Sequence, residues 1–230
     1  MPFLTPVESE AIRLSLLVSC WAVAGSLPLG MACAWLLARR QFPGKLLVDG
    51  IVHLPLVLPP VVVGYALLVL LGRRGPLGAA LYDWFGITVA FTWKGAAIAS
   101  AVIAFPLMVR AIRLSLEGVD RRLEQAARTL GCGPLETFFT VTLPLILPGV
   151  LTGTVLAFAR SLSEFGATIT FVSSIPGETR TLPLALYTLT QVPGGDAAAF
   201  RLCVISVVLA FAALLIAEWL ARRVAARLGS

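Results

Sequence analysis

Charge is what this sequence has least of. Only 13% of its 230 residues are Asp, Glu, Lys or Arg, against roughly a quarter in an ordinary soluble domain. A soluble core of this size would need a polar surface that the chain cannot provide, so the bilayer is its solvent. Histidine occurs once, at His53, and cysteine four times, at Cys20, Cys33, Cys132 and Cys203. None of these falls at CxxC or Cys/His spacing, which excludes the usual metal and redox motifs. No GxxxxGK[ST] stretch exists, so the chain has no Walker-type cradle for ATP phosphates. With no nucleophile–base pair and no ligand cluster either, it reads as a protein without a catalytic site, cofactor or metal of its own.

Apolar residues fill the space that charge leaves. They make up 58% of the chain, and the mean hydropathy is +0.93. Runs of about twenty apolar residues mark membrane-spanning helices. Such runs cover 12–38, 46–71, 95–112, 145–171 and 202–220. The expectation is therefore an all-α membrane protein, a single domain over 1–230, with five spans and six as the fallback. Leu182–Leu189 is apolar but too short to cross and reads as a re-entrant or interfacial segment. Gly25 and Pro28 are candidate bends in the first span. Pro55, Pro59, Pro60 and Gly64 interrupt the second, either to line a pathway or to kink for packing.

The first span is not a signal peptide: Glu8 and Glu10 precede it and the apolar run is too long. The cluster Arg39, Arg40, Lys45 follows it instead, which puts the N-terminus outside and that loop inside. The same orientation places Arg110, Arg113, Arg121, Arg122, Arg128 and the tail residues Arg222, Arg223, Arg227 inside. Arg13, Arg73, Arg74, Lys94, Arg180 and Arg201 fall outside. The bias favours N-out and C-in. The net charge of +6 thus anchors cytoplasmic loops and does not point to nucleic acid. His53 reads as a core or interfacial histidine, and Trp84, Trp93 and Trp219 as interfacial anchors. The Gly/Pro-bearing stretches Ser173–Arg180 and Val192–Ala198 become outside loops.

A polar knob sits among the apolar runs, over about 114–144. Asp120 can cap a helix from Arg121 to Leu130, with Gly131 or Gly133 ending it. Leu123, Ala126, Ala127 and Leu130 recur at helical spacing and share one face, with Gln125 and Arg128 largely off it. Beyond the glycines, Leu135, Phe138, Phe139 and Val141 resume an apolar pattern toward Leu143-Pro144. A helix, a sharp turn and a second helix would make a projection suited to a groove on a partner. The same pattern would also serve a helix lying flat on the bilayer.

Arg160 and Glu164 form the second constellation. They lie one helical turn apart in the fourth span, where an intramembrane charge is costly unless paired or wetted. Ser161, Ser163, Thr168 and Thr170 add hydroxyls nearby, and Gly166 removes bulk. Two readings stand together: a pathway-lining face or gate tolerant of a passing oxyanion, formed by Arg160, Ser161, Ser163, Glu164 and Thr168, or a structural ion pair.

The knob resembles the EAA loop of bacterial ABC-importer permeases. Gln125-Ala126-Ala127, Gly131, Val141 and Leu143-Pro144 keep that motif's spacing, with Gln125 in place of its glutamate and Val141 in place of its isoleucine. Glu124 lies one residue early. The stretches Leu123–Gly131, Leu156–Phe171, Ile175–Thr181 and Arg201–Arg223 are similar to the molybdate-permease subfamily, and the resemblance covers essentially the whole chain. It implies a type I importer permease of the bacterial inner membrane that works as a homodimer. Two cytoplasmic ATPase subunits would hold ATP and Mg, and a periplasmic molybdate-binding protein would deliver the cargo. Glu124, Gln125, Ala126, Ala127, Leu130, Gly131, Leu143 and Pro144 would then couple the chain to the ATPase. The competing expectations are another oxyanion as cargo (tungstate, sulfate or thiosulfate) and a stand-alone secondary transporter or channel.

Overall fold

The computed structural model describes residues 5–228, and among them every regular element is a helix. Residues 1–4 and 229–230 of the expected single domain, and the side chains of Arg222 and Arg227, lie outside what is described. Helix α1 (Pro6–Arg39) starts ahead of the apolar run because its first turn caps itself. The Thr5 N–H donates to Glu8 Oε2 at 2.7 Å, and the Glu8 N–H donates to the Thr5 hydroxyl at 3.4 Å. This capping box satisfies donors that a helix start leaves open, and Pro6 at the first position has no N–H to satisfy. With 34 residues the helix is about 50 Å long, which exceeds a hydrocarbon core of about 30 Å and requires tilt. It runs unbroken through Gly25 and Pro28.

The second expected span, 46–71, is not one helix. It divides into α2 (Lys45–Val57) and α3 (Pro60–Leu71), bent by 114° at the break. A residue that precedes proline is pushed out of the helical region toward extended backbone. Here Leu58 and Pro59 both precede one, and both are extended, with ψ of 143° and 132°. Two consecutive extended residues redirect the chain, whereas Pro55 alone sits inside α2 without ending it. Helix α4 (Pro76–Phe85) then leads to α5 (Trp93–Gly118), which Thr92 caps by accepting the Gly95 N–H at 3.2 Å.

Helices α6 (Arg121–Thr129) and α7 (Pro134–Thr137) precede a π-helical turn over Phe138–Thr142, which runs on into α8 (Leu143–Leu162). Pro144 explains the turn. Its ring would press on the carbonyl of Thr140 in a regular helix, and a π-turn widens the backbone just there. The fourth expected span, 145–171, also divides. Helix α8 stops at Leu162, and α9 (Gly166–Val172) resumes after a break at 163–165. Helix α10 (Leu182–Thr190) is the short apolar segment, and α11 (Asp196–Leu228) is the last long helix. Among the described residues four helical stretches are long and apolar enough to cross a membrane, and counting the bent pair α2–α3 as one crossing gives five.

Helices α1, α5 and α8 form the centre. Ala34, Leu37, Ala104, Met108, Ile112, Ile146 and Ala157 pack there with essentially no exposure. Small residues let helices approach closely where no hydrophobic drive separates protein from lipid. Gly149 and Gly153 of α8 supply the closest approach: a Cβ on Gly149 would collide with the Ser115 side chain, and one on Gly153 would sit 3.0 Å from the Met108 carbonyl. Leu46, Ile51, Val57 and Tyr65 of α2–α3, and Val207, Phe211 and Leu215 of α11, turn apolar side chains outward. That is the surface expected of a protein whose solvent is lipid.

Polar ties fix the two ends of the bundle. At one end Arg201 Nε meets Glu8 Oε1 at 2.9 Å, the Trp93 N–H reaches Glu178 Oε1 at 3.3 Å, and the Leu182 N–H reaches Ser15 Oγ at 2.7 Å. These contacts gather the starts of α1, α5, α10 and α11. The finish of α1, the finish of α5 and the α6–α7 knob lie at the other end.

Candidate functional site

Helix α6 is short, and its sequence defines both ends. Asp120 Oδ1 accepts the Arg122 N–H at 2.9 Å as N-cap. At the far end Gly131 has a φ of +95°. The Gly131 N–H donates to the Arg128 carbonyl at 3.1 Å and the Cys132 N–H to the Ala127 carbonyl at 3.1 Å. That pair of bonds is the Schellman termination, which wants glycine at the left-handed position. Of the two expected terminators, Gly131 ends the helix. Gly133 caps α7, where its N–H donates to Glu136 Oε2 at 3.3 Å.

The apolar face expected on α6 divides. Ala127 alone is buried, at 9% exposure. Leu123, Gln125, Ala126 and Leu130 point away from the protein, Leu130 with 86% of its surface free. Across the turn Leu135 is 75% and Phe139 61% exposed. The apex of the knob is thus an uncovered apolar ridge on a rim of arginines. Leu143 is half-buried and packs on the central core, and Pro144 is likewise half-buried at the start of α8. These two residues root the knob and do not belong to its tip.

Glu124 turns the other way. Its Oε1 lies 2.8 Å from Arg39 Nη2 at the finish of α1 and accepts the Thr142 hydroxyl at 2.9 Å. The Arg39 and Glu124 side chains are 9% and 20% exposed. Beside this contact lies a polar cleft of about 560 Å³, lined among others by Arg39, Asp120, Arg121, Arg122 and Gln125. A second network ties α2 to α5: Arg113 reaches both Asp49 oxygens, at 3.0 and 3.1 Å, and Glu117 at 2.8 Å. His53 Nδ1 sits 2.9 Å from the Asp49 carbonyl oxygen and 3.2 Å from its carboxylate. Neither network was legible in the sequence, because Arg39 and Glu124 lie 85 residues apart and Arg113 and Asp49 lie 64 apart.

The intramembrane pair does form: Arg160 Nη1 lies 2.8 Å from Glu164 Oε2. It is not a pair on one helix face, since Glu164 occupies the break after α8. There it serves α9, whose Ala167 N–H donates to Glu164 Oε1 at 2.8 Å. Glu164 is 2% and Thr168 1% exposed, and Ser161 is buried at 4%. Ser163 and part of Arg160 remain accessible. The Thr168 hydroxyl donates to the Phe165 carbonyl at 2.9 Å and the Ser163 hydroxyl to that of Arg160 at 3.2 Å. The five expected pathway residues are therefore neighbours, but three of them are inside the fold. This break meets the one between α2 and α3: a Cβ on Gly64 would lie 2.5 Å from the Ala167 carbonyl, and one on Gly166 2.9 Å from the Pro60 side chain. Among the described residues no group of three or more His, Cys, Asp or Glu side chains is placed to hold a metal ion.

The geometry has counterparts. Residues 26–226 match the family model described as "Binding-protein-dependent transport system inner membrane component". The chain is 68% identical over 219 residues to the molybdenum transport system permease protein ModB of Escherichia coli (strain K12), covering 95% of this chain and 96% of that one. It is 58% identical over 223 residues to the protein of the same name from Haemophilus influenzae, covering 97% of each. Among solved structures, a chain of a bacterial ABC transporter involved in the import of the acidic polysaccharide alginate superposes with a TM-score of 0.75. That match has 19% identity and covers 96% of this chain and 81% of the other.

Proposed function

Since this chain belongs to the family of binding-protein-dependent transport system inner membrane components, we propose that it is the membrane-spanning subunit of an ATP-driven importer of molybdate. The observation that carries the cargo is the 68% identity along nearly the whole length to a molybdenum transport permease. The observation that supports the coupling is the exposed ridge of Leu123, Ala126 and Leu130 on a capped, anchored helix, continued across the turn by Leu135 of α7. A ridge of that kind fits a groove on a cytoplasmic ATPase subunit. Two copies of the chain would pair in the bacterial inner membrane, with the knobs inside and the ends marked by Glu8 and Arg201 outside. Each copy would engage one ATPase subunit, which binds ATP and Mg and performs the hydrolysis. A periplasmic molybdate-binding protein would dock on the outside.

Closure of the ATPase pair would move the two α6 helices together as rigid bodies and reopen the pathway outward, since packed helices pass on rotations and do not bend. Gln125, which stands where the family motif has an acid, supports contact by shape and not by a single charge. Arg160, near the end of α8, and Ser163, in the break after it, are the accessible members of the expected set, and they would face a passing oxyanion. Glu164, which accepts the Ala167 N–H, and Thr168, which donates to the Phe165 carbonyl, would hold that break in shape, with Ser161 buried beside them.

Reconstitution decides the matter. The chain, assembled in proteoliposomes with its ATPase and binding protein, takes up molybdate when ATP is inside and takes up none when the ATPase is left out. Uptake driven by an ion gradient without the ATPase would make it a secondary transporter. Preference for sulfate, thiosulfate or tungstate over molybdate would keep the machine and change the cargo.

A further inference from the structure

The family motif has an acidic residue where this chain has Gln125, and the chain carries its acid one position earlier. Consecutive residues on a helix are about 100° apart around its axis. The shift therefore turns the carboxylate away from the open ridge and toward the bundle. Gln125 is exposed, while the carboxylate of Glu124 is held at 2.8 Å by Arg39 and at 2.9 Å by the Thr142 hydroxyl, both on the same oxygen. Arg39 is the last residue of α1. Thr142, 3% exposed, closes the π-turn and sits directly before α8. One carboxylate thus joins the knob to two of the three helices that form the core.

Without that contact α6 hangs on its own backbone links. Before it comes the extended pair Val119-Asp120, and after it the turn of Gly131 and Gly133. Its one buried side chain, Ala127, is small. Glycine-bearing links are poor levers, because they bend before they push. A charge-assisted bond at low exposure is stiff and strong by comparison.

We propose that Arg39, Glu124 and Thr142 form a latch that makes α6 rigid with α1 and α8, so that displacement of the knob moves those spans. They are positioning residues for coupling. The inference rests on the reading of α6 as the ATPase contact, and it assigns an inward role to Glu124, while Gln125 at the motif position next to it is exposed.

The test uses the full complex in proteoliposomes and reads molybdate taken up per ATP hydrolysed, a ratio that loss of folded protein does not change. Arg39→Glu and Glu124→Arg each place like charges together, and each lowers the ratio by about tenfold, within the range of ordinary coupling factors. The double variant restores opposite charges and returns the ratio to within about threefold of the unmodified complex, since directly contacting residues are non-additive. If the charge reversals fail to assemble, the milder Glu124→Gln and Thr142→Val carry the same expectation. Wild-type ratios in these variants, or a double variant no better than the worse single, overturn the latch.

A second arm needs no partner. A nitroxide on Arg128→Cys, with the four native cysteines replaced by serine, becomes more mobile by electron paramagnetic resonance when Glu124→Gln is added. Unchanged mobility overturns the latch as well. An unmodified complex that moves no molybdate, together with a mobility gain, keeps the latch and fails the assignment of cargo or partner instead.

Discussion

Gly131 holds a φ of +95°, and nothing lies within 4 Å of where its Cβ would be. A side chain there meets no obstacle, so its cost is backbone strain of about 1–2 kcal/mol. That strain falls on the turn that aims α6, far from the buried core. Gly131→Asp is therefore expected to reach the membrane at normal levels while molybdate uptake per ATP falls, and Gly131→Asn, which tolerates the left-handed region better, loses less. Normal substrate-stimulated uptake by Gly131→Asp would sink this account. Glu164 presents the opposite case. It is 2% exposed, pairs with Arg160 and holds the first turn of α9. Glu164→Ala leaves the Arg160 guanidinium without its opposite charge and the Ala167 N–H without its acceptor, and the lost acceptor alone costs about 1–3 kcal/mol. Thermal unfolding in detergent should show a large loss for Glu164→Ala and almost none for the exposed Ser163→Ala. Equal midpoints for the two would contradict the structural role given to the carboxylate.

The long helices were legible because an apolar run of about twenty residues has one solution in a bilayer, and α1, α5, α8 and α11 each contain one. The two breaks differ in how they could have been read. Pro28, Pro55, Pro106 and Pro148 all sit inside helices, so a proline in an apolar run does not by itself mean an end. Pro59-Pro60 is different, since two successive residues are forced out of the helical region, and that local rule was present in the sequence. The break at 163–165 has no such mark. It exists because α9 is drawn against α3 through Gly64 and Gly166, a contact roughly a hundred residues apart in the chain. The α5–α8 crossing also depended on partners that a sequence does not pair, although Gly149 and Gly153 have the spacing of a close helix contact. A Cβ on Gly149 collides with Ser115, so Gly149→Ala is expected to cost about 1–3 kcal/mol by overpacking. Adding Ser115→Gly removes the obstacle and recovers most of the loss. A melting midpoint for the double variant below that of Gly149→Ala would show that the crossing is not limited by this contact.

At the scale of the molecule, two independent lines bear on the direction proposed for the chain. Basic residues cluster after α1, around α6 and at the end of α11, which places those segments inside by the positive-inside rule. Separately, the ties Glu8–Arg201, Trp93–Glu178 and Ser15–Leu182 gather the starts of α1, α5, α10 and α11 at one end. The knob and the Arg39–Glu124 contact lie at the other end. Charge and packing could have disagreed, because charge acts on loops during insertion whereas the ties form in the finished fold. They agree for an odd number of crossings, which is the number obtained when the bent α2–α3 pair is counted as one. Cys132 makes this testable, since it is the one native cysteine in the knob and the other three lie in long helices. With Cys20, Cys33 and Cys203 changed to serine, a membrane-impermeant maleimide should label Cys132 in inside-out vesicles and leave it unlabelled in intact cells. With Cys132 also changed to serine, Pro193→Cys, in the loop between α10 and α11, should give the reverse. Labelling of Cys132 from outside would turn the chain over and put its apolar ridge beyond the reach of any cytoplasmic ATPase.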